Sequence, residues 1–335
     1  MPQLSNANKY FQPKGFVTPE KTKHHAEMLA NRIRARFRHL SRKFKHQNID
    51  CFRLYDWDIK EVRAVIDWYA GHVVVAEYVR LQTRPEWLPQ MAHAVAGALN
   101  LPQENVHLRR RQTNTQEGPR YRTKASKASG AKRFQVRERN LSFWVNLDDF
   151  LDTGLFSDHR DTRVIIEKLV AGKDFLNLFG YTGAFTCAAA AGGAKTTVTV
   201  DRSETYLDWA RDNLKLNGLW GPQHSLIKSD AGKYLERAFR EGRRFTLAFI
   251  DPPSFFQDRS KGESFDINED HPQLLQNVLQ VMVPGSFVFF STNHQRFEPG
   301  LENLPVKDLT ELTPKTIPED YRNRHVHRCW RMTTA

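Results

Sequence analysis

Residues 173–201 read KDFLNLFGYTGAFTCAAAAGGAKTTVTVD, and this stretch decides the fold. The apolar run ending at Leu178-Phe179 suits a buried parallel strand. Gly180 and Gly183 bracket a tight turn where the backbone can approach a ligand. The run from Ala184 to Ala191 predicts a helix whose small side chains let it lie close to a sheet, and Gly192-Gly193 ends it. Residues 196–200 are β-branched, and Asp201 stands at the carboxyl end of that second strand. A carboxylate there can accept both ribose hydroxyls, so the stretch reads as a nucleoside-cofactor site.

Downstream, strands and helices alternate as in an α/β fold. Ser203 caps a helix through Asn217, with Tyr206, Ala210 and Leu214 inward and Gly218 ending it. A short strand over 225–228 leads to Ser229-Asp230, and a helix follows over 232–240. FTLAFI (245–250) is an almost wholly apolar central strand that delivers Asp251-Pro252-Pro253-Ser254-Phe255. A polar loop is expected to Glu269, then a helix from about Pro272 to Met282. SFVFFS (286–291) is the next buried strand and ends at Thr292-Asn293; strands over 306–312 and 326–332 close the sheet. A helix over 162–170 precedes the whole core.

In an open α/β sheet, ligands bind beyond the carboxyl ends of the strands. Those ends carry Phe179-Gly180, Asp201, Ser229-Asp230, Asp251-Pro252-Pro253 and Thr292-Asn293. A single Asp at such a place is commonly a turn former or helix cap. A polar or special residue at every end points instead to a ligand crevice. The glycine turn lacks the third glycine of the dinucleotide fingerprint, which makes a dehydrogenase a poor match. Two prolines after the apolar strand fix the backbone and leave carbonyls that can face a planar ring.

The amino-terminal part differs in character. Residues 21–45 (KTKHHAEMLANRIRARFRHLSRKFK) place Met28, Leu29, Ile33, Phe37, Leu40 and Phe44 at helical spacing in a strongly basic helix that includes Arg34 and Arg38. A solvated face and a nucleic-acid contact are both open readings of it. Residues 51–79 alternate as strands with a turn near Gly71; a helix is expected over 85–101, a strand over 106–111 and a hairpin over 134–145. The stretch between Arg109 and Arg139, with Arg110 and Lys124, is again basic. Strand–strand–helix–strand–strand makes a small α+β module, for which docking RNA through its basic loop and a purely structural role with a soluble surface are both open readings. A composition shift near 146–149 sets the expected boundary: a basic helical extension over 1–50, the module over 51–148, and the ligand-binding domain over 149–335.

The 335 residues carry a formal charge of +12, which favours a polyanionic partner. Three scattered cysteines, Cys51, Cys187 and Cys329, do not make a disulfide framework and suit a reducing cytoplasm. No apolar run reaches membrane-spanning length.

NLFGYTGAF, TVD, SDA and IDPPSFF, in this order, resemble class I S-adenosylmethionine-dependent methyltransferases. WVNLDDFLDTGLFSDHR, DFLNLFGYTG, LDWARDNLKLNGL, FIDPPSF and RNRHVHRCW more narrowly resemble the bacterial 23S ribosomal-RNA guanine-N7 methyltransferase family (RlmK) over roughly residues 51–332. The fold class expected is therefore α/β: a class I, Rossmann-like methyltransferase sheet preceded by the small α+β module and the basic helix. The resemblance implies S-adenosylmethionine as cofactor and 23S ribosomal RNA, or a large-subunit precursor, as partner. It implies that Phe179, Gly180, Tyr181, Thr182 and Gly183 pass under the methionine part, that Asp201 with Arg202 holds the ribose, and that Asp230 and Ala231 meet the adenine. Asp251 and Pro252 would line the cleft near the methyl donor, with Pro253, Ser254 and Phe255 facing the target base and Phe255 or Phe256 stacking on it. Asp158 and Arg160 fall in a segment expected to fold over the cofactor, where Arg160 would pair with its carboxylate.

Cytosine-C5 methylation needs a Cys thiolate to activate the ring, and Ser291-Thr292-Asn293 stands where those relatives carry it. Guanine N7 has a free lone pair and needs neither base nor covalent intermediate, so the work falls to positioning, with Asn293 reading the base edge. Exocyclic-amine methylation, and an RNA-binding assembly protein on a methyltransferase fold, are the alternatives. His325, His327 and Cys329 alternate and would share one strand face; with no fourth ligand at zinc spacing, no metal is expected.

Overall fold

The structure is a computed structural model and describes residues 17–79, 83–112, 132–258 and 263–335. These divide into two compact units, one holding 17–44 and 52–112 without 80–82, the other 45–51 and 132–335 without 259–262.

The first unit takes in α1 (Pro19–His46) as far as Phe44, β1 (Cys51–Asp56) from Phe52, β2 (Ala64–Tyr69), β3 (His72–Val79), α2 (Trp87–Leu99) and β4 (Val106–Gln112). Leu29, Ile33, Leu40 and Phe44 form the buried stripe of α1, and Arg34 and Arg38 lie on its exposed face. Phe37 meets Trp68 of β2 at 4.6 Å between ring centroids. The sheet order is β1-β2-β3-β4, with β3 and β4 parallel through α2. Trp87 donates from Nε1 to His25 Nδ1 at 3.3 Å, tying α2 to α1.

The second unit begins with a hairpin, β5 (Phe134–Glu138) and β6 (Leu141–Val145). It continues through α3 (Arg160–Leu169), β7 (Asp174–Leu178), α4 (Ala184–Ala191), β8 (Thr196–Asp201), α5 (Glu204–Leu216), β9 (His224–Lys228), α6 (Ala231–Arg240) and β10 (Phe245–Ile250). Then come β11 (Phe255–Asp258), β12 (Glu263–Asp266), α7 (Ile267–Gln280), β13 (Met282–Thr292), β14 (Val306–Glu311), α8 (Thr313–Thr316) and β15 (Arg328–Thr334).

Three expectations need correction. The basic helix is no separate extension but part of the first unit, and the hairpin expected to complete the small module belongs to the second. The module's sheet therefore has three strands before its helix and one after. Residues 255–266 pair as an antiparallel hairpin, and α7 starts at Ile267, capped by Asp266 accepting from Asn268 N–H at 2.9 Å. Pro272 sits in the second turn of that helix.

The main sheet runs β14-β15-β13-β10-β7-β8-β9, parallel except for β15, which is antiparallel to both neighbours. Strand order proceeds outward from β7 through β8 to β9 and then reverses to β10, so the switch point lies between β7 and β10. Period-2 alternation sorts the two faces. Phe175, Leu247, Phe249 and Phe289 pack against α3 and α4, while Ala248, Ile250, Val288 and Phe290 pack against α6 and α7. No described helix is long and apolar enough to cross a membrane.

Side-chain amides of α5 stitch β6 to the core. Asn213 is fully buried; its Oδ1 accepts from Trp144 N–H at 2.9 Å and its Nδ2 donates to the Thr182 carbonyl at 2.8 Å. Asn217 exchanges two 2.8 Å hydrogen bonds with the backbone of Ser142. We expect Asn213→Leu, which strands one buried N–H and one buried carbonyl, to cost about 2–4 kcal/mol in urea unfolding.

Candidate active site

Register sets the strand ends level. Leu178 pairs with Val200 on one side and Ile250 on the other, and Ile250 pairs with Phe290. The next residue on each strand is then Phe179, Asp201, Asp251 or Ser291, side by side across the sheet. Asp201 also pairs with Lys228, which brings Ser229 and Asp230 to the same rim.

The turn after β7 is tight. Phe179 (φ 56°) and Tyr181 (φ 48°) take the left-handed conformation, as does Gly183 (φ 73°). For ordinary side chains this conformation is strained and marks functional turns. Gly180 serves for space: a Cβ there would lie 2.3 Å from Thr199 Cγ2. Gly183 meets both demands, because its Cβ would also lie 2.6 Å from Ala210 Cβ, where α5 crosses.

Asp201 holds this turn. Its Oδ2 accepts from Tyr181 N–H at 2.9 Å and its Oδ1 from Ser203 N–H at 2.8 Å. Burial pushes its carboxyl above the usual range, against the pull of backbone donors from Ser203, Tyr181 and Arg202. Three backbone donors leave one of the carboxylate's four lone pairs for a further donor such as a ribose hydroxyl. Asp230 caps α6, accepting from Lys233 N–H at 3.2 Å.

Arg202 turns to the β11–β12 hairpin, with its guanidinium 4.2 Å from the Phe256 ring centroid and paired with Glu263. Lys233 reaches Glu263 from the other side at 2.7 Å. The alternative that Phe256 stacks on the target is corrected: the pleat of β11 sends Phe256 to Arg202 and leaves Phe255 39% exposed.

At the mouth, Asp251 is partly exposed, Pro252 is buried and Pro253 half-buried. Ser254 donates from Oγ to Asn293 Oδ1 at 2.9 Å, joining the loops after β10 and β13. Asn293 is exposed, and with its oxygen engaged its amide nitrogen is left as a donor.

Other expected site residues do structural work. Thr182 is fully buried, donating from Oγ1 to the Gly154 carbonyl at 2.6 Å, and Tyr181 accepts at its hydroxyl from Gly154 N–H at 3.1 Å. These two side chains hold the segment before α3 rather than facing a ligand. Arg160 needs the same correction. It is 1% exposed, with Nη1 and Nη2 donating to the two oxygens of Asp320 at 3.1 and 3.3 Å and Nη2 to the Cys51 carbonyl at 3.0 Å. Burial opposes its charge, but Asp320 and Glu138 hold the guanidinium well above its ordinary value. Arg163 completes the cluster, donating to both oxygens of Glu138 at 2.6 and 2.7 Å. Arg110 is held by the Pro85 carbonyl at 2.6 Å and by Glu77 at 3.7 Å within the first unit. Arg34 contacts Asn31 on the open face of α1, and Lys124 lies outside the described residues.

One group escapes sequence reasoning. Asp158, expected near a cofactor, is buried and accepts from His327 Nδ1 at 3.0 Å. His327 stacks on His159, the rings 4.2 Å apart and 14° from parallel, and His159 Nε2 lies 3.6 Å from Asp251 Oδ2. His325, by contrast, is exposed and precedes β15, so the alternating His-His-Cys face does not form. Asp158, His159 and His327 bring three ligand-type atoms within 4.8 Å of one another. Within this group Asp158 and His327 share a hydrogen bond, and His159 joins them through ring stacking. The only hint in the sequence is that His159 lies between the two residues singled out in SDHR.

Residues 53–304 match the family model of S-adenosylmethionine-dependent methyltransferases. The chain is 39% identical over 309 residues to the ribosomal RNA large subunit methyltransferase K of Neisseria meningitidis, spanning 90% of this chain and 85% of that protein. It is 41% identical over 314 residues to the ribosomal RNA large subunit methyltransferase K/L of Syntrophotalea carbinolica, spanning 92% of this chain but 43% of that longer protein. In fold it resembles SMU.776 complexed with SAH, at a TM-score of 0.71 and 23% identity over 93% of this chain and 82% of that one. It also resembles the SAM-dependent methyltransferase of Agrobacterium tumefaciens, at a TM-score of 0.60 and 19% identity over 86% and 91% of the two chains.

The structural reading of Arg160 is open to test. Arg160→Met removes the guanidinium that donates to both oxygens of the buried Asp320, while Arg163 stays on Glu138, and we expect it to lose about 3–5 kcal/mol of stability. Titration of the folded protein with SAH is expected to give the wild-type affinity; a selective loss of SAH binding would restore Arg160 to the cofactor site.

Proposed function

The chain belongs to the family of S-adenosylmethionine-dependent methyltransferases, and from that premise we propose that it methylates N7 of a guanine in 23S ribosomal RNA. The bound cofactor supplies an electrophilic sulfonium methyl. The residues present fit such a ligand: Asp201 for the ribose, Asp230 and Ala231 for the adenine, and the backbone of 179–183 for the methionine end. Asp251 and Pro252 line the cleft between cofactor and base.

The observation that carries the choice of atom is the Ser254–Asn293 hydrogen bond beside Asp251. It turns the Asn293 amide nitrogen outward as a donor. Guanine presents N7 and O6 as adjacent acceptors on one edge. A donor to O6 therefore presents N7 to the methyl group, while Phe255 offers an exposed ring for stacking. Because N7 already holds an in-plane lone pair, no proton has to be removed. Covalent C5 chemistry has no thiolate to use: all three cysteines are buried, and burial pushes Cys187 up to about 12 and raises Cys51 and Cys329.

Ribosomal RNA as substrate is supported by the names of the relatives and by the charge of +12. On α1, Lys23, Arg34, Arg38 and Arg42 share the exposed side, and Glu27 is the acidic residue among them. Such a face binds phosphates without reading sequence.

Two experiments test this. Nucleoside mapping of RNA from cells with and without the protein is expected to show one N7-methylguanosine that depends on it. Asn293→Ala and Phe255→Ala are each expected to lower kcat/KM by about tenfold or more, which corresponds to about 1.4 kcal/mol. An N2-methylguanosine product would select the amine chemistry instead, and unchanged rates in both variants would refute the site. Arg34→Glu with Arg38→Glu is expected to weaken RNA binding and to make its log–log salt slope shallower by about 1 for each phosphate no longer neutralised. SAH affinity is expected to stay unchanged.

A further inference from the structure

We propose that His159 is a positioning residue for Asp251: its imidazole fixes the carboxylate that follows β10. This rests on the methyl-transfer reading but not on which base atom accepts the methyl. His159 ends the short helical turn that leads into α3. Its Nε2 lies 3.6 Å from Asp251 Oδ2 and 3.5 Å from Ser291 Oγ, and its Nδ1 lies 3.4 Å from Thr162 Oγ1. An ionised carboxylate can only accept, so the Nε2–H tautomer suits this place, with Thr162 donating to Nδ1. At 3.6 Å the Asp251 contact is electrostatic, and a closure of about half an ångström makes it a hydrogen bond. Such tightening is common when a site fills.

The ring has no room to leave. Phe185 and Phe249 meet it nearly edge-on at 5.6 and 5.8 Å, and His327 covers one face. His327 is pinned in turn, by Asp158 at Nδ1 and by Thr316 Oγ1 at 3.0 Å from Nε2. Burial first, then repulsion from His327, lowers the His159 pKa to about 3, with Asp158 pulling the other way and Arg163 adding to the lowering. The imidazole is therefore uncharged throughout the working range of an enzyme.

That neutrality gives the arrangement its use. Methyl transfer to a base nitrogen, ring or exocyclic, builds positive charge on the base, and an ionised Asp251 lowers the energy of that developing charge. A Lys or Arg in the place of His159 would cancel part of the Asp251 field. An apolar neighbour would desolvate the carboxylate and favour its protonated form. A neutral N–H donor does neither, and it fixes the side-chain rotamer.

The test compares His159→Gln, whose amide nitrogen can occupy the place of Nε2, with His159→Phe, which fills the space without a donor. Total transfer of labelled methyl into RNA is measured, so the result does not depend on the atom modified. Gln is expected to keep kcat within about threefold of wild type, and Phe to lower kcat roughly tenfold or more, with both KM values within about twofold. Melting temperature and SAH titration confirm that each variant is folded. Where Phe does not fold, the Gln variant decides: kcat within about threefold supports the proposal, and a roughly tenfold loss in the folded protein overturns it. Equal kcat for Gln and Phe also overturns it. So does elemental analysis finding one metal ion per chain that both substitutions remove, because the nitrogens would then be ligands. Absence of any transfer by wild type would sink the functional reading itself, and this proposal with it.

Discussion

Leu178 is paired with Val200 on one side and Ile250 on the other, and this register is the constraint on which the site depends. Parallel ladders fix each strand end relative to its neighbour, so a slip of one residue would carry Asp201 or Asp251 to the opposite face. The strands that enforce the register are nearly continuous apolar runs buried on both faces, as parallel strands must be. The catalytic rim is thus set by a core that has no chemistry of its own. Polar residues inside the ladder, such as Asn177, Thr197 and Thr199, are buried and hydrogen-bonded to other side chains, while the rim residues stand where the ladder ends.

A second constraint is electrostatic and joins distant parts of the chain. Arg160, Arg163, Glu138 and Asp320 lie within one buried cluster, drawn from α3, β5 and the segment before β15. Burying four charges is costly unless each finds its partner at good geometry. The bidentate contacts of Arg160 with Asp320 and of Arg163 with Glu138 meet that condition. Ser157 adds a hydroxyl contact to Tyr321 at 2.7 Å, and Asp158 binds His327. The segment over 156–160 is thereby clamped to the end of the chain. That clamp carries His159 to Asp251.

What can be read from the sequence follows this division. Asp201, Asp251, Asn293 and the turn at 179–183 are legible because each directly follows a strand whose apolar run is unmistakable, and register does the rest. The role of Arg160 is not legible, since an arginine near a helix start looks alike whether it meets a ligand or a buried Asp320 far along the chain. His159 and His327 stack across 168 positions (327 minus 159), and no local spacing announces such a contact. The β11–β12 hairpin reads as a polar loop because Gln257, Asp258, Arg259 and Ser260 outweigh its aromatics in composition. Its pairing depends on the tertiary contacts of Phe256 and Phe265 with Arg202 and Phe179. The boundary between units is hidden for a related reason. Asn213 and Asn217, far downstream, attach the hairpin of 134–145 to α5, and composition cannot see a side-chain amide serving a strand edge.

These observations assign different tasks to the two sides of the rim. On the Asp201 side, charges are matched: Arg202, Asp230, Glu263 and Lys233 form a partly exposed chain of alternating sign. Such a chain is well suited to a polar nucleoside, since its members can exchange partners at small cost in a high-dielectric setting. Around Asp251 lie the His159 imidazole, two prolines and the linked Ser254 and Asn293, with the Asp158 carboxylate 3.8 Å from the same imidazole nitrogen. The two sides therefore differ in kind: exchangeable ion pairs beside Asp201, and beside Asp251 a buried imidazole held by stacking and by the end of the chain.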